Sequence, residues 1–249
     1  MVENVINLDN AGLSLPSRNI KNRSGKLNFF LDFFRGGDTI HKAAYEKILI
    51  NISLSVKKGE TLGILGRNGS GKTTLLKLMS GIVSPTSGKI KTSGKILPML
   101  TIGSFLSPMD SAYNNLYLLS GIYGVPVKER DLFVKKVLDF TELSSVEKKP
   151  ISMFSRGMQS KLLVVFYYFL NADIYIIDEI MGAGDEKFNA KFVKFMESKL
   201  SSGSVFILAT HNYSLMRQFC NRAIVLDSGS VIFDGSIEKA LNVYRLIKG

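Results

Sequence analysis

The chain has one cysteine, two histidines and no tryptophan in 249 residues, and its longest uninterrupted apolar run, Leu162 to Leu170, is bounded by Lys161 and Asn171. A single cysteine excludes an internal disulfide; Cys220 lies in an apolar helical stretch, where a packed thiol is expected rather than a catalytic one. The apolar run is far shorter than the roughly 20 residues a bilayer-spanning helix needs, so no segment is expected to cross a membrane. Met1-Val2-Glu3-Asn4 has neither the basic region nor the apolar core of a secretory signal, so the expected compartment is the cytosol. There is no internal repeat, no low-complexity linker and no recognised nucleic-acid motif. His41 has no chemical context.

What is present is an excess of positive charge, +11 from 32 basic and 21 acidic residues, and an apolar fraction of 45%. The apolar content supports a sizeable core, and the length favours one domain, 1–249, carrying an inserted subdomain. The charge suits a polyanion: nucleic acid, anionic lipid or an acidic partner surface. It does not choose among them, because lysine pairs such as Lys57-Lys58, Lys135-Lys136 and Lys148-Lys149 are scattered as on an ordinary solvated face.

Alternation from Ile48 to Val56, ahead of the turn Lys57-Lys58-Gly59-Glu60, predicts an antiparallel strand. Ser84-Pro85-Thr86-Ser87-Gly88 predicts a turn before a short strand at Lys89 to Lys91. From about 105 to 171 the spacing turns helical, with an apolar face at Leu132, Val134, Val137 and Leu138 and a long helix from Ser155 to Leu170; this region reads as an inserted helical subdomain. Three apolar strands follow, Ile174 to Ile177, Val205 to Ala209 and Ile224 to Leu226, with helices between them, as in a parallel sheet. A hairpin turn at Asp227-Ser228-Gly229-Ser230 and a final helix from about Ser236 to Ile247 complete the chain.

The most specific run is Gly66-Arg67-Asn68-Gly69-Ser70-Gly71-Lys72-Thr73, a G-x-x-x-x-G-K-T loop between an apolar strand, Thr61 to Leu65, and an apolar helix, Thr74 to Met79. Its glycines let successive backbone N–H groups face inward at a helix N-terminus, a cradle for polyphosphate. Lys72 is expected to reach the β- and γ-phosphates and Thr73 to offer its hydroxyl to Mg²⁺. Strand 174–177 ends in Asp178-Glu179 at the carboxyl edge of the sheet, where ligands bind in α/β folds. Asp178 is expected to organise Mg²⁺ and Glu179 to polarise the attacking water, although such a pair also suits the start of a helix. His211, after strand 205–209 and Thr210, brings an imidazole to the same edge to hydrogen-bond the γ-phosphate.

Phe154-Ser155-Arg156-Gly157-Met158-Gln159 heads the long helix with Ser155 as N-cap. With the preceding motifs, this segment resembles the L-S-G-G-Q signature of the nucleotide-binding subunits of ABC transporters. The resemblance spans about Ile48 to Phe233 and includes a D-loop-like Ala183-Gly184-Asp185. It is strongest to the branch serving capsule, O-antigen and teichoic-acid export, on Met158 after the signature glycine and on the run Asp178-Glu179-Ile180-Met181-Gly182-Ala183-Gly184-Asp185-Glu186-Lys187-Phe188. The fold it implies is α/β, a P-loop NTPase (RecA-like) ABC ATPase core with an antiparallel β subdomain and a helical subdomain.

That resemblance implies an ATPase at the cytoplasmic face of the inner membrane, peripheral to it, using ATP and Mg²⁺. It also implies a head-to-tail homodimer and a multi-spanning permease dimer that handles the lipid-linked polysaccharide. ATP would lie between Gly66 to Thr74 of one copy and Ser155, Arg156, Gly157, Met158 and Gln159 of the other, with Asp185 in the D-loop. Some O-antigen exporters carry a carbohydrate-binding domain after the ATPase; none is expected here.

Two departures stand out. Where most members have a glutamine linking the site to the helical subdomain, this chain reads Leu100-Thr101-Ile102-Gly103-Ser104-Phe105, with Thr101 as the positional substitute. Arg156 replaces the signature's first glycine. Tyr45 is either the ring that stacks on adenine or a surface tyrosine at a strand start. Residues 17–35 carry a basic amphipathic segment around Phe30 and Phe34. It either docks on its own domain or rests at lipid headgroups or the membrane partner. A soluble ABC ATPase acting on nucleic acid or ribosomes is the rival that the charge supports, although no nucleic-acid partner is expected; an ABC ATPase for another cargo, such as a drug or haem, is a second.

Overall fold

The computed structural model describes residues 3–16, 45–100, 106–178, 186–210 and 212–248. The amphipathic segment 17–35, His41, Thr101, Glu179, the D-loop Asp185 and His211 lie outside the described residues.

Two sheets share one core. Strands β1 (Asn4–Pro16), β2 (Tyr45–Lys57) and β4 (Ser87–Thr92) form an antiparallel sheet in the order β2-β1-β4. The strands expected at 48–56 and 89–91 are therefore longer at both ends. The larger sheet runs β5-β6-β7-β3-β8-β9, from β3 (Thr61–Leu65), β5 (Ile96–Met99), β6 (Ile174–Asp178), β7 (Val205–Ala209), β8 (Arg222–Asp227) and β9 (Ser230–Ser236). All its pairings are parallel except the β8–β9 hairpin. Every residue of β3 and β7 is buried, the composition expected of parallel strands covered on both faces. Strand β5 was not legible in the sequence: it is four residues long and contains Pro98. It is tolerated because β5 is an edge strand, where a missing N–H leaves no central pairing broken.

Alternation within β6 sorts the core into layers. Tyr175 and Ile177 face a cluster that includes Leu97, Phe206, Leu208 and the helices α2 (Ala112–Ile122), α3 (Val127–Thr141) and α4 (Arg156–Phe169). Ile174 and Ile176 face the opposite side, with β1, β2 and α1 (Lys72–Met79). A third cluster packs α7 (Ile237–Lys248) onto β3 and β8. Helices α5 (Glu186–Ser201) and α6 (Tyr213–Phe219) connect β6 to β7 and β7 to β8.

On α3 the buried face is Val134, Val137, Leu138 and Thr141, the i, i+3, i+4, i+7 stripe. Leu132, expected on that face, is 59% exposed, because two residues of helix turn it about 200° away from Val134. Aromatic contacts tie this helical region to the sheet: Phe140 stacks on Tyr168, Tyr168 meets Phe195 of α5 at 4.9 Å, and Phe195 meets Tyr175 at 5.6 Å. Cys220 is buried after α6, and burial pushes its thiol up to about 12.

Candidate functional site

Strand β3 lies between β7 and β8 near the centre of the sheet, and the chain leaves its carboxyl end directly into the loop 66–71. Gly66 has no room for a side chain: a Cβ there would stand 2.5 Å from both the Leu226 carbonyl and Ser70 Oγ. Gly69 and Gly71 take positive φ angles of 82° and 104°, backbone that other residues adopt only under strain. Gly71 is also the N-cap of α1, so the loop closes on a helix N-terminus. Ser70 Oγ is buried and has no hydrogen-bond partner. A glycine-rich loop that ends at a helix N-terminus and holds an orphaned buried hydroxyl is chemically fitted to anionic oxygens.

Lys72 is buried, and its ammonium donates to the carbonyls of Gly66 at 2.8 Å and Arg67 at 3.1 Å. Its charge is therefore held at the loop by its own backbone. Thr73 Oγ1 donates to Asp178 Oδ2 at 2.6 Å. Residues 105 positions apart in the chain meet here because β6 ends level with Ala209 of β7, and β7 pairs with β3. A hydroxyl beside a carboxylate is a hard-oxygen pair of the kind Mg²⁺ takes alongside phosphate oxygens and water. Asn68 and Thr73 are exposed and Thr74 is half-buried at the cradle's mouth.

Two contributions to this cradle were not legible in the sequence. The β8–β9 turn was expected only as a hairpin, yet Gly229 N–H donates to the Ser70 carbonyl at 3.0 Å and the Gly229 carbonyl accepts from Ile50 N–H at 2.8 Å. Gly229 has φ 79°, and a Cβ would stand 2.4 Å from the Ile48 carbonyl, so only glycine bridges loop and strand this closely. The second is aromatic: Tyr213 and Tyr244, ring centroids 6.1 Å apart, gather with Ile64, Leu65, Gly66, Lys72 and Thr210 around a crevice with no room for a water molecule. The signal available was the unassigned tyrosine at each of these positions.

Tyr45 opens β2 and is 66% exposed, three residues before the Ile48 carbonyl that lies against Gly71. Ser155 caps α4 as expected, its Oγ accepting from Met158 N–H at 3.2 Å. Ser155 and Arg156 are exposed, while Gly157, Met158 and Gln159 are half-buried. The Gln159 amide turns back on its own loop, donating to the carbonyls of Ile151 and Phe154, both at 3.2 Å. At β7, Thr210 Oγ1 accepts from Asn212 N–H, and Asn212 caps α6.

Comparison with known proteins follows the same lines. Residues 49–182 match the family model described as ABC transporter. The O-antigen export system ATP-binding protein RfbB of Klebsiella pneumoniae is 32% identical over 195 residues, 78% of this chain and 79% of that protein. The capsule polysaccharide export ATP-binding protein CtrD of Neisseria meningitidis serogroup B is 33% identical over 205 residues, 82% of this chain and 93% of that protein. Among solved structures, the dimeric post-hydrolysis state of the ATP-binding cassette MJ0796, bound to ADP and Pi, aligns with a TM-score of 0.72. It is 20% identical, with 93% of this chain and 98% of that one covered, a likeness of fold.

Proposed function

Because the chain belongs to the ABC transporter family and is an ABC transporter ATPase, we propose that it powers export of a lipid-linked polysaccharide of O-antigen or capsule type across the cytoplasmic membrane. The observation that carries the cargo is the similarity, at 32% and 33% identity, to ATP-binding proteins of O-antigen and capsule export. Met158, Asp185 and Phe188, the resembling details outside the generic motifs, support the same branch.

In this reading Gly66 to Thr74 hold the phosphates of ATP and Tyr45 stacks on adenine. Lys72 exchanges its two carbonyl acceptors for β- and γ-phosphate oxygens. Thr73 and Asp178 hold Mg²⁺, which supplies positive charge to the oxygens of the transferring phosphoryl group. Glu179 accepts a proton from water as that water attacks the γ-phosphorus, the bond to the bridging oxygen breaks, and ADP and phosphate leave. His211 hydrogen-bonds the γ-phosphate. Ser155, Arg156, Gly157 and Met158 of a second copy, followed by Gln159 as a brace of that loop, close over the nucleotide, with Asp185 at the same interface. Closure and reopening of the dimer then move a permease dimer, which handles the glycan. The subunit sits peripherally on the cytoplasmic face; no helix among the described residues is long and apolar enough to cross a membrane.

The test is to replace the native copy with Glu179→Gln, purify the tagged protein from membranes in mild detergent with ATP, and identify its companions by mass spectrometry, while measuring surface glycan. The expected result is a co-purified multi-spanning permease and loss of surface glycan with its lipid-linked precursor retained inside. Ribosomal or DNA-associated companions with normal surface glycan would replace this reading with that of a soluble ABC ATPase.

A further inference from the structure

Asn115 on α2 is 3% exposed, and every polar atom of its side chain is engaged by backbone. Its Oδ1 accepts from Ser107 N–H at 2.7 Å. Its Nδ2 donates to the carbonyls of Ser107 and Asp110, each at 3.1 Å, and of Ser111 at 2.9 Å. One N–H facing the oxygen and three carbonyls facing the nitrogen fix which way the amide points. Loop 107–111 is thereby wrapped around a single side chain. An aspartate would turn an oxygen toward three carbonyls, and an apolar residue would leave those backbone groups without a partner.

The same loop carries another part of the chain. The Pro108 carbonyl accepts from Ser152 N–H at 2.9 Å and the Asp110 carbonyl from Ile151 N–H at 3.0 Å, while Ser111 pairs with Pro150 in an antiparallel bridge. Ala112 and Tyr113 N–H continue the pairing, donating to the carbonyls of Lys149 at 3.2 Å and Glu147 at 3.0 Å. Ile151–Met153 is a single 3₁₀ turn, too short to satisfy its own N–H groups, so loop 107–111 supplies their acceptors. The Asp110 carbonyl joins the two systems. Asn115 and Ile151 both donate to it, and the Ile151 carbonyl in turn accepts from the Gln159 amide at 3.2 Å. Asn115 is thus linked through consecutive hydrogen bonds to the start of α4, where Ser155 and Arg156 are displayed.

We propose that Asn115 is a positioning residue for ATP hydrolysis: it fixes loop 107–111 and, through it, the placement of Ser155 to Gln159 against nucleotide held by a second copy. It touches no reacting atom, and none of its hydrogen bonds reaches the phosphate loop of its own chain. The proposal rests on the reading of the signature segment as the half of the ATP site supplied in trans. A misplaced signature lowers turnover, while the phosphate loop still binds ATP.

The experiment measures phosphate release by full-length Asn115→Ala, alone and mixed in equal amounts with Lys72→Ala or with Ser155→Arg, with ATP titration and Tm for each protein. Alone, Asn115→Ala is expected to lose about twentyfold in kcat. ATP affinity of the isolated subunit is expected to change less than about twofold. Mixed with Lys72→Ala, it is expected to reach about a quarter of wild-type turnover, because half the dimers pair its intact phosphate loop with an intact signature at one site. Mixed with Ser155→Arg, it is expected to stay at or below its own rate, since both lack the same half. Asn115→Asp is expected to lose at least as much as Asn115→Ala. Wild-type turnover by either variant with a lowered Tm would make Asn115 a packing residue only and overturn the proposal. So would recovery with Ser155→Arg, or no recovery with Lys72→Ala while Lys72→Ala and Ser155→Arg restore each other. Should Asn115→Ala not fold, Asn115→Ser, which keeps one hydroxyl to donate and accept, takes its place; failure of both to fold would make Asn115 a folding residue and equally overturn the proposal. No recovery between Lys72→Ala and Ser155→Arg would instead overturn the reading of the signature beneath it.

Discussion

The phosphate loop and the signature segment both open a helix, α1 at Gly71 and α4 at Ser155, but they treat their helix N-termini differently. Gly71 sits in left-handed backbone at φ 104°, packed between Leu49, the Ile48 carbonyl and Leu226, with the loop's lysine buried behind it. Ser155 and Arg156 are exposed, and that segment is tied back on itself by the cap to Met158, the Gln159 N–H bond to the Ser155 carbonyl and the Gln159 amide brace. One half is preformed by residues from β2, β3, β6 and the β8–β9 turn converging on it. The other is a rigid but displayed surface. A buried cradle is complete within one chain, whereas a displayed helix N-terminus acts only on what is brought to it.

The comparison is broken most severely by removing the functional group of each half. Lys72→Ala and Ser155→Arg are each expected to cut ATP hydrolysis at least roughly 100-fold, the first by loss of charge at the transferring phosphoryl group, the second by blocking the displayed face. Mixed in equal amounts, the two inactive proteins are expected to regain about a quarter of wild-type turnover, because half the dimers would pair an intact loop with an intact signature at one site. No regain in a phosphate-release assay would mean that the two halves do not complete each other across a dimer.

Crowding distinguishes the halves next. Gly66→Ala and Gly229→Ala place a Cβ 2.5 Å and 2.4 Å from backbone carbonyls that cannot move aside, and Gly229 adds a φ of 79°. Each is expected to cost about 2–4 kcal/mol and to weaken ATP binding about tenfold, read by thermal denaturation and nucleotide titration. On the signature side, Ser155→Ala removes a cap only, expected to cost about 1 kcal/mol and to leave binding of ATP to the isolated subunit unchanged. Equal losses of binding from both sides would erase the distinction.

The smallest expected effect lies away from both halves. Cys220 has a folded-state value of about 12 against an ordinary 9.0, because burial favours the neutral thiol. Its contribution to stability is complete below about pH 9 and declines as pH rises toward 12, since the unfolded chain releases the proton first. Cys220→Ala is therefore expected to flatten the alkaline fall in Tm slightly, and the native thiol to resist a disulfide reagent at pH 8 until the protein unfolds.

Much of the architecture was legible because its signals are local. The apolar runs of β3, β6, β7 and β8, the Ser155 cap and the glycine spacing of the loop each depend on neighbours in the chain. Strand β5 was hidden because four residues with Pro98 carry no strand pattern; its edge position and the parallel partner β6 make it a strand. Leu132 was assigned to the wrong face of α3 because several hydrophobic residues stand close together there, and only packing decides which stripe is buried.

By itself, the sequence determined the glycine-rich loop, the acid at the end of β6, the displayed helix cap and the family, since each is a short pattern carried by its own residues. Tertiary structure alone decided that Thr73 meets Asp178, that Gly229 hydrogen-bonds the loop to β2, and that the Tyr213 ring packs beside that of Tyr244. Those contacts depend on the strand order β6-β7-β3-β8 and on α7 folding back over β3 and β8, which bring distant residues within hydrogen-bonding distance through burial of apolar faces rather than through any local preference of the chain.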